Sequence, residues 1–300
     1  MTNPDLTALT TEMRNPRTTD LDAMTTRDLI AAMNDEDRTV ADAVRQQLPR
    51  IAEAVDAIAE RLRKGGRLIY CGAGTSGRLG VLDAVECPPT FSADPQQVLG
   101  LIAGGPGAFL KAVEGAEDKE ALGAEDLRKI EVGAKDVVVG IAASGRTPYV
   151  VGALRFAREQ QALTVAVVCN AGSNVAAAAE LPIEVVTGPE VLTGSTRLKA
   201  GTATKMVLNM LSTGAFVRRH KVYGNLMVDL MASNDKLVAR SRRIVAEATG
   251  SDASTAQRVL AECGGEVKTA IVVLRKGVDA AQARTMLFHR EGSVRGALES

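Results

Sequence analysis

Residues Gly72-Ala-Gly-Thr-Ser-Gly77 lie between a short apolar run, Leu68 to Cys71, and an apolar-periodic stretch that starts near Arg78 and Leu79. Strand, glycine turn and helix in that order bring backbone N–H groups and the positive end of a helix to one point. That is what gripping an anion requires, most often a phosphate. Gly74 lets the backbone come close, and the hydroxyls of Thr75 and Ser76 can donate to the same oxygens. No Gly-Lys-Ser/Thr follows, which excludes a P-loop, whereas glycines 72, 74 and 77 do fit G-x-G-x-x-G. The next apolar run, Val98 to Ala103, ends in Gly104-Gly-Pro106, without the carboxylate that a dinucleotide's ribose needs. A phosphate on a small metabolite fits better, and the plain alternative is a glycine turn that only packs strand on helix.

A second segment, Ala142-Ala-Ser-Gly-Arg-Thr-Pro148, repeats this logic after the run Val137–Ile141. Ser144, Gly145 and Thr147 offer hydroxyl and backbone donors, and Pro148 suits the first turn of a helix. Ordinary capping and turn roles are the competing reading for Ser144 and Thr147. A third hydroxyl cluster runs from Leu192 to Thr204. Its Arg197 and Lys199 are candidates for a negatively charged group on a substrate, against the common role of solvated helix charges.

Acid–base work falls to carboxylates, lysine or hydroxyls, because the only histidines, His220 and His289, lie away from these segments. Glu86 directly precedes Cys87-Pro-Pro89, and the two prolines are expected to end its helix in an extended exit. Glu114, Glu117 and Asp118 would share one face if their segment is helical. Two carboxylates from separate segments can act as acid and base when burial raises one pKa and not the other. Solvated helix acids are the alternative, and spacing does not choose between Glu114 and Glu117.

The elements that must hold these groups follow from periodicity. Apolar, β-rich runs at Leu68–Cys71, Val98–Ala103, Asp136–Ala142, Leu163–Cys169 and Ile183–Thr187 alternate with helix-length segments. This predicts an α/β fold with a five-stranded parallel sheet and helices on both faces, its ligand outside the carboxyl ends of the strands. Ahead of it, Thr25 and Asp28 predict a capped helix that ends in a charged turn, Asn34 to Asp37. The stripe Val40, Val44, Leu48, Ile51, Val55, Ile58, Leu62 predicts an amphipathic helix bent or broken near Pro49 and stopped by Gly65 and Gly66. Residues 1–20 read as a flexible arm, 21–234 as the catalytic domain, and 235–300 as a small all-α domain of three or four helices. Ser251 and Asp252 start one of these helices, and no internal repeat stands out.

Composition narrows the class. Three hundred residues, 46% apolar and with net charge +0, read as a soluble globular protein. A balanced charge and the absence of Trp argue against a nucleic-acid surface. Cys71, Cys87, Cys169 and Cys263 are isolated from one another, which reads as reduced thiols in the cytoplasm, and no apolar run reaches membrane-spanning length.

Six strings in order carry a resemblance. Gly72-Ala-Gly-Thr-Ser-Gly-Arg-Leu-Gly80, Glu86-Cys-Pro-Pro-Thr90, Val113-Glu-Gly-Ala-Glu-Asp118, Gly140-Ile-Ala-Ala-Ser-Gly-Arg-Thr-Pro-Tyr149, Thr193-Gly-Ser-Thr-Arg-Leu-Lys-Ala-Gly-Thr202 and Gly224-Asn-Leu-Met-Val-Asp229 closely resemble the N-acetylmuramic acid 6-phosphate etherases, a sugar isomerase (SIS) fold family. The resemblance runs from about residue 20 to the end. It implies a lyase that cleaves the D-lactyl ether of N-acetylmuramic acid 6-phosphate by elimination and then hydration, in peptidoglycan amino-sugar recycling. By the same resemblance Glu86 is the acid and Glu117 the second active-site carboxylate, the base. Ser76, Ser144 and Thr147 hold the phosphate with Thr75 close by, and Ser195 and Thr196 are sugar contacts. The resemblance implies no metal and no organic cofactor, a phosphosugar as the small-molecule partner, and a homodimer with shared sites. Two other readings stay open on the same motifs, a phosphosugar sensor like the glucokinase-regulating relatives and an aldose–ketose isomerase. The presence of both Glu86 and Glu117 favours the lyase.

Overall fold

A computed structural model describes residues 9–111, 113–230 and 235–300. The described residues divide into two units, one holding those of 9–85 and 96–212, the other those of 86–95 and 213–300.

In the first unit α1 (Thr26–Asp37) starts where Thr25 accepts the Asp28 amide, and it runs on through the expected turn at Asn34–Asp37. The apolar stripe splits into α2 (Val40–Gln46) and α3 (Leu48–Arg63), with Pro49 in the first turn of α3, where its missing N–H costs nothing. There follow β1 (Leu68–Gly72), α4 (Gly74–Phe91), β2 (Val98–Ile102), a 3-10 turn at Pro106–Phe109, α5 (Glu120–Lys129), β3 (Val137–Ala142) and α6 (Pro148–Glu159). Next come β4 (Leu163–Val168), α7 (Asn174–Ala178), β5 (Leu181–Glu184) and α8 (Lys199–Arg218). The last strand lies earlier than the expected Ile183–Thr187, because β5 follows its pairing with Val165–Val168. Pro88 and Pro89 lie inside α4 rather than forcing an exit after Glu86.

The five strands are parallel in the order β2-β1-β3-β4-β5. β1 and β3 are buried along their whole length, which explains their unbroken apolar sequence. On one face Ile69, Cys71, Val138, Leu127, Tyr149 and Leu154 form a continuous core. On β1 the hydroxyl of Tyr70 donates to Asp83 at 2.7 Å, and the other oxygen of Asp83 accepts from Asn209 at 2.7 Å and Ser212 at 3.2 Å. α5 and α6 cross so closely that a Cβ on Gly123 would strike the Tyr149 carbonyl and one on Gly152 the Glu120 carbonyl. Of the segment expected as a flexible arm, residues 1–8 lie outside the described residues. Leu9, Thr11, Asn15 and Thr18 are buried, with Thr10 donating to Asn170 at 2.9 Å and Thr18 to the Val191 carbonyl at 2.8 Å.

The second unit holds the hairpin β6 (Val222–Tyr223) and β7 (Leu226–Met227), then five helices: α9 (Asp235–Thr249), α10 (Ala253–Glu262), α11 (Val267–Lys276), α12 (Ala280–His289) and α13 (Val294–Glu299). Its core gathers Val228, Ile244, Val259, Ile271, Ala283 and Val294. This unit contains a repeat, where the sequence reading expected none. Asp252 caps α10 as Asp279 caps α12, and Gly264–Gly265 and Glu291–Gly292 take positive φ at equivalent turns. The amides of Gly265 and Gly292 close those turns on Leu260 and Leu287, both at 2.8 Å. Asp252, Ala253, Ala256, Leu260, Gly265, Val267 and Ala270 recur at the same spacing as Asp279, Ala280, Ala283, Leu287, Gly292, Val294 and Ala297, so the likeness lies in sequence as well as in backbone geometry. Among the described residues no helix is long and apolar enough to cross a membrane.

Candidate active site

β1 and β3 lie side by side with Gly72 opposite Ile141. The segments leaving their carboxyl ends therefore start about 5 Å apart, one strand spacing. Since β2 adds on one side of β1 and β3 on the other, this is also where the sheet reverses its direction of growth, the usual ligand crevice.

The first segment turns at once into α4. Gly74 takes φ +53, and Thr75 and Ser76 follow in the first turn, half-buried. A Cβ on Gly77 would stand 2.6 Å from the Gly72 oxygen and 2.7 Å from Ile102 Cγ1, so helix start and strand end meet only with glycine there. Arg78 donates to the carbonyls of Phe109 at 2.8 Å and Ala108 at 2.9 Å, pinning the turn after β2 to α4.

In the second segment Gly145 is buried at φ +71, and its amide donates to Ala142 at 2.9 Å. Ser144 Oγ accepts from the Arg146 amide at 3.3 Å. Thr147 occupies the N-cap position of α6, yet its side chain makes no capping bond. The ordinary helix-cap role is therefore not what this hydroxyl performs.

Ser195 and Thr196 are half-buried in a turn closed by Ser195 N–H on Leu192 at 3.0 Å and Leu198 N–H on Ser195 at 3.1 Å. A Cβ on Gly201 would lie 3.5 Å from the Thr196 oxygen and 3.8 Å from Thr75 Cγ2, so the first and third hydroxyl segments meet at the start of α8. Lys199 departs from expectation. It is buried and its ammonium pairs with Glu36, which also takes Arg17. Its charge is answered inside the fold and is not offered to a ligand, whereas Arg197 is exposed.

Three carboxylates escaped the sequence reading. Glu190 is 0% exposed and accepts the amides of Lys199 at 2.9 Å and Ala200 at 3.0 Å. Burial pushes its pKa up against those bonds. For Glu36 burial also pushes upward, but bonds from Lys199 and Asn15 and the charge of Arg17 win, and its pKa falls below the ordinary value. Glu12 brings Oε2 within 3.0 Å of where a Cβ on Gly194 would be. The partners of Glu36 and Glu12 lie far along the chain, and those of Glu190 lie across an irregular loop, so helix or strand spacing signals none of them.

Of the two carboxylates with expected roles, Glu117 is held by its backbone: its carbonyl accepts the Tyr149 amide at 3.0 Å, which sets it beside the first turn of α6 and the Ser144–Thr147 segment. Glu114, Glu117 and Asp118 lie in turns rather than on a helix, so the shared face does not exist. Glu86 is on α4, beyond Gly74 by about 18 Å along the helix axis. Both Glu86 and Glu117 are exposed, so the burial expected to set them apart is not provided within one chain.

Residues 50–158 match the glucokinase regulatory protein N-terminal SIS domain, and residues 121–214 match the SIS domain. The phosphoheptose isomerase of Neisseria gonorrhoeae superposes with a TM-score of 0.51, covering 64% of this chain and 98% of that one. At 17% identity this likeness bears on the fold alone. The N-acetylmuramic acid 6-phosphate etherase of Mycolicibacterium smegmatis is 60% identical over 98% of this chain and 99% of its own length. That of Yersinia pestis is 59% identical over 98% and 99%. A five-stranded parallel sheet with hydroxyl-bearing turns at its reversal point, and identity of this degree from end to end, lead to one assignment: the chain belongs to the N-acetylmuramic acid 6-phosphate etherase family.

Proposed function

We propose that this protein is a carbon–oxygen lyase that converts N-acetylmuramic acid 6-phosphate and water into N-acetylglucosamine 6-phosphate and D-lactate, in the recycling of peptidoglycan amino sugars. The observation that carries the reading is the 60% identity to an etherase along 98% of the chain. The geometry supplies the parts. Ser76 at the start of α4 and Ser144 and Thr147 ahead of α6 leave neighbouring strands and grip the phosphate, with Gly74 letting the backbone come close and Gly145 shaping the second turn. Thr75 and Thr196 lie beside Gly201 at the start of α8, and with Ser195 of the same turn they hold the sugar.

Glu117 takes the C2 proton as the base, the bond between C3 and the lactyl oxygen breaks, and Glu86 protonates the departing lactate. Water then adds at C3 and a proton returns to C2, which regenerates both carboxyl groups without any change of oxidation state. Glu86 lies well along α4 from the phosphate segment, which supports a homodimer in which one copy lends Glu86 to the other. Closing that dimer would also bury the two carboxylates. We place the enzyme in the cytoplasm, where its four thiols stay reduced.

D-lactate release from N-acetylmuramic acid 6-phosphate tests the reading, with Glu86→Gln and Glu117→Gln as controls. The match of residues 50–158 to the glucokinase regulatory protein domain favours a second reading, a phosphosugar sensor. Tight phosphosugar binding without lactate release would select it.

A further inference from the structure

Three helices start beside the hydroxyl segments, and they differ in what meets their first amides. α6 begins at Thr147 without a side-chain cap. At α8 the amides of both Lys199 and Ala200 end on one carboxylate, that of Glu190. We propose that Glu190 is a positioning residue: it fills the amino end of α8 with an anion of the protein's own, locks the Ser195–Thr196 turn against Thr75, and leaves the substrate phosphate to α4 and α6.

The amino end of a helix attracts anions, and an open one here would offer the substrate phosphate a second, unproductive seat. Glu190 closes it. The same two bonds tie residue 190 to residues 199 and 200, which turns the intervening segment into a closed loop carrying both hydroxyls. Thr18 anchors the loop on the Val191 carbonyl at 2.8 Å, and the Glu36–Lys199 pair anchors the helix start. A fully buried carboxylate is a costly way to close a loop. Burial raises its pKa despite two charge-assisted bonds, so the fold gains little from keeping it charged. A role in the site explains its presence.

This inference rests on the etherase reading, and the test separates the two. Glu190→Gln, Glu190→Asp, Thr196→Val and the double variant Glu190→Gln/Thr196→Val are made in the full chain. The readouts are kcat and KM for lactate release, the Kd of N-acetylglucosamine 6-phosphate, and the melting midpoint. Glu190→Gln is expected to raise KM and Kd about tenfold, the loss of one hydrogen bond to a charged group. Its midpoint should stay within about 4 °C of the parent. Glu190→Asp, too short to reach both amides, should shift KM and Kd in the same direction. Thr196→Val should add nothing once Glu190 is replaced, since both act through one turn. Parent-like KM and Kd, additive effects in the double variant, or unfolding of both single Glu190 variants would each overturn the proposal. A parent protein that binds the product but releases no lactate would sink the etherase reading, while the Kd comparison would still decide the role of Glu190.

Discussion

The backbone amide of Tyr149 donates to the carbonyl of Glu117 at 3.0 Å. Tyr149 is itself buried, its ring in the core and its hydroxyl on Asp126 of α5 at 2.9 Å. The turn carrying Glu117 is thus bolted to the first turn of α6, and α6 is bolted to α5. A carboxylate on an irregular segment gains a fixed origin from a core tyrosine, which is what a base needs if it is to meet one carbon of a bound sugar.

Replacing either carboxylate isolates the proton transfers. Glu86→Gln and Glu117→Gln should each lower kcat for lactate release by about a hundredfold or more, with product affinity within about threefold of the parent. Mixing the Glu86→Gln and Glu117→Gln chains should restore lactate release, because a mixed dimer in which Glu86 acts across subunits holds one intact site. If mixed chains stay as inactive as the separate ones, Glu86 does not act across subunits.

The phosphate grip can be read apart from the chemistry. Ser76→Ala, Ser144→Ala and Thr147→Val should each reduce kcat/KM by roughly 10- to 100-fold, the worth of a hydrogen bond to a charged group. Most of that loss should appear in KM, with inorganic phosphate becoming a correspondingly weaker competitive inhibitor.

Much of this architecture was legible because its causes are local. Periodicity gave the strands, and Gly74, Ser76, Ser144 and Gly145 marked the turns that follow β1 and β3 by type alone. What escaped was held by distant partners. Lys199 was a candidate for an anionic substrate group, but Glu36 from α1 takes its charge, and Glu190 acts on residues beyond its own turn. Pro88 and Pro89 misled in the other direction, since α4 continues through them to Phe91.

The buried charge pair predicts both stability and its pH dependence. Lys199→Met leaves Glu36 with Arg17 and Asn15 but without its buried cation, and should destabilise the fold by about 3–5 kcal/mol in urea at neutral pH. Because Glu36 has its folded pKa below the ordinary 4.5, its contribution is present above that value and disappears as pH falls through the lower, folded one. The parent should therefore lose stability from about pH 5 downward more steeply than Lys199→Met. Parallel acid profiles for the two proteins would contradict this account.

Glycine contacts give a stability prediction with its own control. Gly152→Ala places a methyl against the Glu120 carbonyl and should cost about 1–3 kcal/mol or more, seen as a lower melting midpoint. Gly133→Ala, with no atom within 4 Å of its Cβ, should leave the midpoint nearly unchanged.

Thiol chemistry checks the core directly. Burial pushes Cys71 and Cys169 up to about 12, so neither should react with a disulfide reagent near pH 8 until denaturant is added. Rapid labelling of either in the native protein would mean that the strand ends open to solvent.

The doubled helical hairpin of the second unit bears on how the carboxyl terminus can be engineered. α11 packs on both α12 and α13, and Ala270 and Ile271 are fully covered in the core they share with Ala283 and Val294. Trimming the protein back to Gly277 would strand those side chains in water, so the hairpins are to be kept or discarded as a pair.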